Sequence, residues 1–177
     1  QDIKLPNDTV TEFVLWGGKT SPSIIFPLTS KNEVIAVKQL RIAASMAKEK
    51  EMWVLELPGG NASPNDSAEA VAKQELLEET GYEADKITVL PEIWIEPSTC
   101  FTPYIPLIAE NCRQIQEPHL GKSEILELNL FPLEKWIELV KNGTVNDAKS
   151  ITTTFRALLH LGYFIDKKYD RGLRLPS

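Results

Sequence analysis

Cysteine and histidine each occur only twice in this chain of 177 residues. Cys100 and Cys112 stand at no close metal-type spacing and read as two reduced, packed thiols. His119 also lacks a partner at metal-site spacing and reads as an exposed loop side chain. Long apolar runs are missing, since none approaches the roughly 18 residues that a membrane span requires. No amino-terminal stretch joins basic residues to an apolar core, so no leader is expected. A soluble, cytoplasmic protein with no membrane partner is the expectation. Positive charge is in deficit, with 19 Lys and Arg against 25 Asp and Glu, a formal net charge of −6 and a pI near 5.1. That balance argues against binding to a nucleic-acid backbone, and an anionic substrate would need a metal ion and local arginines.

What the chain does have is one acidic helix in a telling setting. Glu75 and Glu79 stand four residues apart, so at about 100° per residue they lie almost above one another on a helix, with Glu78 beside them. Three like charges on one turn repel, and a cation would offset the repulsion. Hard oxygen ligands suit magnesium or manganese, which keep several waters and are shared with substrate phosphates. The bland alternative is a solvated acidic face. The flanking residues favour the first reading. An apolar run over 53–57 reads as a strand and ends at Gly59 and Gly60, where the backbone can turn sharply and approach a ligand. Asp66 or Ser67 can cap the helix, Asp66 with Glu69 forming a variant of the capping box, and Thr80-Gly81 is a stop.

At 177 residues with 42% hydrophobic content, the chain is one domain able to bury a core without disulfides. Alternation and short apolar runs predict strands over 10–16, 24–28, 33–39, 53–57, 87–96, 104–110 and 124–131, with the acidic helix over 67–80. Leu133, Trp136, Ile137 and Val140 form one helical stripe, and Ile151, Phe155, Leu158 and Leu159 a second after Asp147, with their aromatics expected in the core. Strands interleaved with helices predict a single α/β domain with a mixed sheet. The spacing of Arg156 relative to the second stripe predicts a solvated side chain.

Taken together, residues 60–82 resemble the Nudix hydrolases, whose box is written G-x5-E-x7-R-E-U-x-E-E-x-G-U, with U a bulky apolar residue. Without a gap, Gly60 meets the first glycine, Glu75, Glu78 and Glu79 the three later glutamates, Gly81 the last glycine and Tyr82 the final apolar position. Asp66 replaces Glu and Gln74 replaces Arg, the pair that in the family steadies loop and helix through a charged contact. Within the family the chain is most similar to the ADP-ribose pyrophosphatases, over roughly residues 10–163. Val34-Ile-Ala-Val-Lys-Gln-Leu-Arg41 resembles a strand ending in Gln-Tyr-Arg, and Trp53-Val-Leu-Glu-Leu-Pro-Gly-Gly60 resembles a Glu-x-Pro-Ala-Gly approach. Pro97 stands near the position of a proline that marks the subgroup. Val145-Asn-Asp-Ala-Lys149 matches its later helix pattern, while Ser98-Thr-Cys-Phe-Thr102 departs from it.

The resemblance implies a Nudix fold, a mixed β-sheet sandwiched between α-helices, over residues 23–165, with a short arm or strand over 1–22 and a tail over 166–177. It implies a magnesium- or manganese-dependent hydrolase of the pyrophosphate bond in a nucleoside diphosphate linked to another moiety, with ADP-ribose yielding AMP and ribose 5-phosphate. Glu75, Glu78, Glu79 and the Gly59 carbonyl would hold the metal. Glu78 would ligate it or activate the attacking water, and Glu124 is a candidate general base or an ordinary loop carboxylate. Arg41 would clamp phosphate, and Trp16 and Phe13 would stack on the base unless they are core aromatics. A catalytically weak nucleotide-binding module stays open, as do NADH, nucleotide sugars or nucleoside triphosphates as substrates. A homodimer stays open, while the shortened arm speaks against a swapped one.

Overall fold

The computed structural model describes residues 1–61, 65–121 and 125–163. Its elements run β1 Asp2–Lys4, β2 Val10–Glu12, β3 Pro22–Thr29, β4 Glu33–Leu40, α1 Ile42–Lys48, β5 Trp53–Glu56, β6 Gly59–Asn61, α2 Ala68–Thr80, β7 Tyr82–Glu83, β8 Lys86–Val89, β9 Ile105–Gln114, β10 Leu126–Pro132, α3 Leu133–Lys141 and α4 Ala148–His160. The tail over 166–177 and Glu124 lie outside the described residues.

The main sheet runs β10-β4-β3-β9-β7, with β5 also on β4, β6 on β3 and β8 on β9. β3 and β9 pair in parallel, whereas the other pairs are antiparallel, so the sheet is mixed as expected. The register of β3 on β9 breaks between Pro27 and Thr29, where proline has no N–H to give the ladder. Alternation along β3 sends Ile24, Phe26 and Leu28 into one apolar cluster with Trp136, Ala157 and Leu158, and Ile25 into a second with Ala72 and Leu76. Helices therefore cover both faces, α3 and α4 on one and α2 on the other, which is the expected sandwich.

Four sequence expectations need correction. The strand over 10–16 is cut to Val10–Glu12, because the arm closes on itself as a hairpin with Asp2–Lys4. The strand over 87–96 stops at Val89, just before Pro91, and resumes only as an isolated bridge between Ile93 and Tyr104. The helix α1 was not anticipated; its Ala-rich sequence favours a helix but none of its residues is buried, so no apolar stripe announced it.

The fourth correction concerns α4. Phe155 is 43% and Leu159 63% exposed, while the buried face is Ser150, Thr153, Thr154, Ala157 and Leu158. Hydroxyls can face inward here because each finds a partner. Thr154 donates back to the Ser150 carbonyl at 2.8 Å and accepts the Trp136 indole N–H at 3.0 Å, and Thr152 and Thr153 both bond the Tyr104 hydroxyl. The apolar stripe read from the sequence thus lies to one side of the helix's true inner face.

Both cysteines are free and buried. Burial pushes the Cys112 thiol up to about 12. Between the ordinary thiol value of about 9 and about 12, an unfolded chain releases this proton and the native one keeps it, so its contribution to stability is present below pH 9 and falls as pH rises through that window. In a Cys100→Ser background, a thiol reagent at pH 8 should leave the native protein unmodified and react fully once denaturant is added. Rapid reaction of the native protein would contradict the burial.

Candidate functional site

The acidic helix α2 starts at Ser67, whose hydroxyl accepts the Ala70 N–H at 3.1 Å. Ser67, not Asp66, is therefore the cap, the third helical residue is Ala70, and Glu69 pairs with Lys73 at 2.7 Å, so the expected box between Asp66 and Glu69 does not form. The fully buried Ser23 donates to the Ala68 carbonyl at 3.4 Å and ties the helix start to β3. At the other end Gly81 takes the left-handed conformation, φ 76°, and returns its N–H to the Leu77 carbonyl at 2.9 Å. The Gly81 carbonyl then accepts the N–H groups of Ile115 at 3.0 Å and Gln116 at 3.3 Å, and His119 N–H reaches the Glu78 carbonyl at 2.8 Å. A side chain on Gly81 would lie 2.1 Å from the Gln116 oxygen. His119 itself is exposed, as expected for a loop histidine.

Between these ends the helix presents Glu75 and Glu79 to the glycine strand β6. Glu79 is only 5% exposed and accepts the Gly59 N–H at 2.9 Å. Glu75 fills the space that a side chain on Gly60 would need: an added Cβ would sit 1.8 Å from its Oε1. Glu78 is exposed and accepts from the Gln74 amide at 3.0 Å. Among the described residues, no three His, Cys, Asp or Glu side chains converge as a preformed metal cage. Two carboxylates come to the glycine strand and the third stands outside.

This packing makes Gly60→Ala informative. The methyl group must expel the Glu75 carboxylate or the β6 backbone, so divalent-ion affinity should fall by at least about 10-fold, the scale set by disturbing groups around a metal. Manganese titration of the variant checks it, and unchanged affinity would show that Glu75 is not needed where it stands.

Arg41 follows the end of β4, at the start of α1. Its Nε donates to Glu56 Oε1 at 2.7 Å and its Nη2 to Glu56 Oε2, a bidentate fork on a carboxylate that is 4% exposed. The Glu56 hydrogen bond raises the Arg41 pKa, with the charges of Glu56, Asp147 and Glu79 adding to it against desolvation. Arg41, expected to clamp phosphate, thus stands among acidic groups, with two of its donors taken by Glu56. Sequence reasoning assigned no role to Glu56; the signal was a carboxylate inside the apolar run over 53–57, which cannot be buried without a partner. It also missed Ser150, whose hydroxyl accepts the Leu57 N–H at 2.9 Å.

Trp16 and Phe13 sit on the arm. Trp16 is 54% exposed rather than core, its indole N–H reaches Thr99 Oγ1 at 3.3 Å, and its backbone is bonded to Thr99 and Phe101. Phe13 lines a groove of about 560 Å³ with Glu12, Val14, Leu15 and Phe101.

The NUDIX domain pattern matches residues 19–154. The chain belongs to the Nudix family. It is a Nudix pyrophosphohydrolase, and Nudix hydrolases generally use divalent metal ions. Similar to this Nudix chain is an ADP-ribose pyrophosphatase of Bacillus subtilis, 29% identical over 153 residues that span 85% of this chain and 78% of the relative. A GDP-mannose pyrophosphatase of Escherichia coli is 26% identical over 132 residues, 73% of this chain and 68% of the relative. A crystal structure of an ADP compounds hydrolase shares the fold at a TM-score of 0.76 and 19% identity, covering 91% of this chain and 83% of that one. Among the described residues, no helix of the Nudix domain is long and apolar enough to cross a membrane.

Proposed function

We propose that this Nudix protein hydrolyses the pyrophosphate bond of a nucleoside diphosphate linked to another group, with magnesium or manganese as cofactor, and that ADP-ribose is its substrate, giving AMP and ribose 5-phosphate. The observation that carries this reading is the approach of Glu75 and Glu79 to Gly59 and Gly60. Hard, anionic oxygens beside two adjacent glycines suit a small divalent ion. Glu75, Glu79 and the Gly59 carbonyl would hold it, leaving the other positions to water and substrate phosphate. Such an ion polarises phosphoryl oxygens and lowers the pKa of a bound water.

The chain's own residues supply the rest. Glu56 fixes the plane of the Arg41 guanidinium, whose remaining N–H groups would meet phosphate oxygens. Glu78, exposed at the rim, would take the proton of the attacking water, with Glu124 as the other candidate base. Phe13 and Trp16 on the arm would meet the base. The reading takes 23–165 as the catalytic domain, between an arm over 1–22 and a tail over 166–177.

A second reading rests on a specific observation. Gln74, a neutral amide where other Nudix boxes carry arginine, donates to Glu78, so the box has lost the cation of its brace, which favours a binding module with weak turnover. One panel separates the two. Protein with magnesium or manganese is offered ADP-ribose, GDP-mannose, NADH and nucleoside triphosphates, and products are resolved by chromatography. AMP and ribose 5-phosphate from ADP-ribose at the highest kcat/KM are expected. Metal-dependent binding of a nucleotide with turnover of none would establish the module instead, and faster turnover of GDP-mannose would move the substrate to the nucleotide sugars.

A further inference from the structure

The ladder between β4 and β5 ends at the pair Val37 and Glu56. The next N–H, that of the buried Leu57, would be left inside the protein without a strand partner, and such groups are rarely tolerated. It is met by Ser150, 93 residues further along the chain and fully buried at the start of α4. The same hydroxyl donates to Asp147 Oδ2 at 2.8 Å, and the Ser150 N–H donates to that oxygen at 2.8 Å. Only the backbone bond is required to cap the helix. The bond from the hydroxyl turns the serine's lone pairs toward Leu57.

Leu57 stands at the head of the segment that forms the site. Glu56, before it, grips Arg41; after it, Pro58 accepts the Ile25 N–H at 2.9 Å and Gly59 donates to Glu79 at 2.9 Å. We propose that Ser150, oriented by Asp147, is a positioning residue that fixes the Leu57-Pro58-Gly59 backbone and so sets the Gly59 end of the metal site. This rests on the metal reading given above. The negative charge of Asp147 also acts on Arg41, so the start of the last helix bears on both Arg41 and the Leu57-Pro58-Gly59 backbone.

The test uses the full chain carrying Ser150→Ala, Asp147→Ala or both. Hydrogen exchange in the metal-free protein should show the Leu57 and Gly59 amides losing protection while the β3 and β4 amides keep theirs. Manganese affinity, read by water-proton relaxation, should fall about 10-fold, the lower end of the range of about 10- to 100-fold for groups that orient ligands. The double variant should bind no more weakly than the worse single one, because the two side chains act through one path. A Ser150→Ala protein that melts lower but binds manganese like the wild type, with Gly59 still protected, overturns the proposal, and so do additive losses. Should Ser150→Ala not fold, Asp147→Ala carries the same readouts. Wild-type protein that binds no manganese, or binds it equally well after Glu79→Gln, would instead remove the metal reading, and the exchange of Leu57 would still report on the tether.

Discussion

Glu79→Gln should lower kcat on ADP-ribose by at least about 100-fold while leaving the fold intact. Even groups one step removed from a metal cost about 10- to 100-fold when lost, and Glu79 is proposed as a direct ligand. The two effects part company because of where the side chain lies. It is 5% exposed, and glutamine has the same shape, so the variant keeps the packing of this buried position while losing the charge that would hold the ion. The amide oxygen of glutamine can still accept the Gly59 N–H that the carboxylate accepts at 2.9 Å. Steady-state kinetics, manganese titration and thermal melting of metal-free protein together check the expectation. Turnover at the wild-type rate would move the metal away from Glu79, and a collapse in melting temperature would make its role structural.

Arg41→Ala should damage both substrate binding and stability. Glu56 would remain buried with its charge-assisted fork gone, an omission that costs about 1–3 kcal/mol. The lower part of that range applies, since the Arg41 side chain is 44% exposed and water can replace part of it. For a chain of this length, each kcal/mol should lower the melting temperature by about 2–4 °C. Adding Glu56→Gln to Arg41→Ala should restore most of the lost stability, because no charge is then left unpaired, yet should not restore kcat/KM for ADP-ribose. If the double variant regained catalysis, Arg41 would serve only as a counter-ion to Glu56. If Arg41→Ala raised KM with kcat intact, its contribution would be equal in ground and transition states.

The parts legible in the sequence are those whose causes are local. Ser67, the glutamates and Gly81 lie within one helix, so the period, the stop and the carboxylate pair Glu75 and Glu79 could be read without knowing what packs against them. Which carboxylates face the glycine strand could not, because Glu78 differs from its neighbours only by the direction the helix is seated on the sheet. The fork between Arg41 and Glu56 arises from the register of β4 against β5, a tertiary fact that neither segment carries alone. The inner face of α4 was misjudged for a different reason. Phe155 and Leu159 look like core residues by hydropathy, but Trp136, Tyr104 and the Leu57 N–H offer hydroxyl-sized polar partners on the adjoining face. The arm escaped because β1 and β2 satisfy each other instead of extending the sheet.

Gly81 has one more effect. Its carbonyl is the peg from which residues 115 and 116 hang, and the Glu78 carbonyl is a second peg for residue 119. The stretch over 115–119 therefore sets out from a fixed origin on the acidic helix itself. A tilt of that helix would carry this segment in the same direction, and the spacing between the two would be conserved even when their place in the molecule is not.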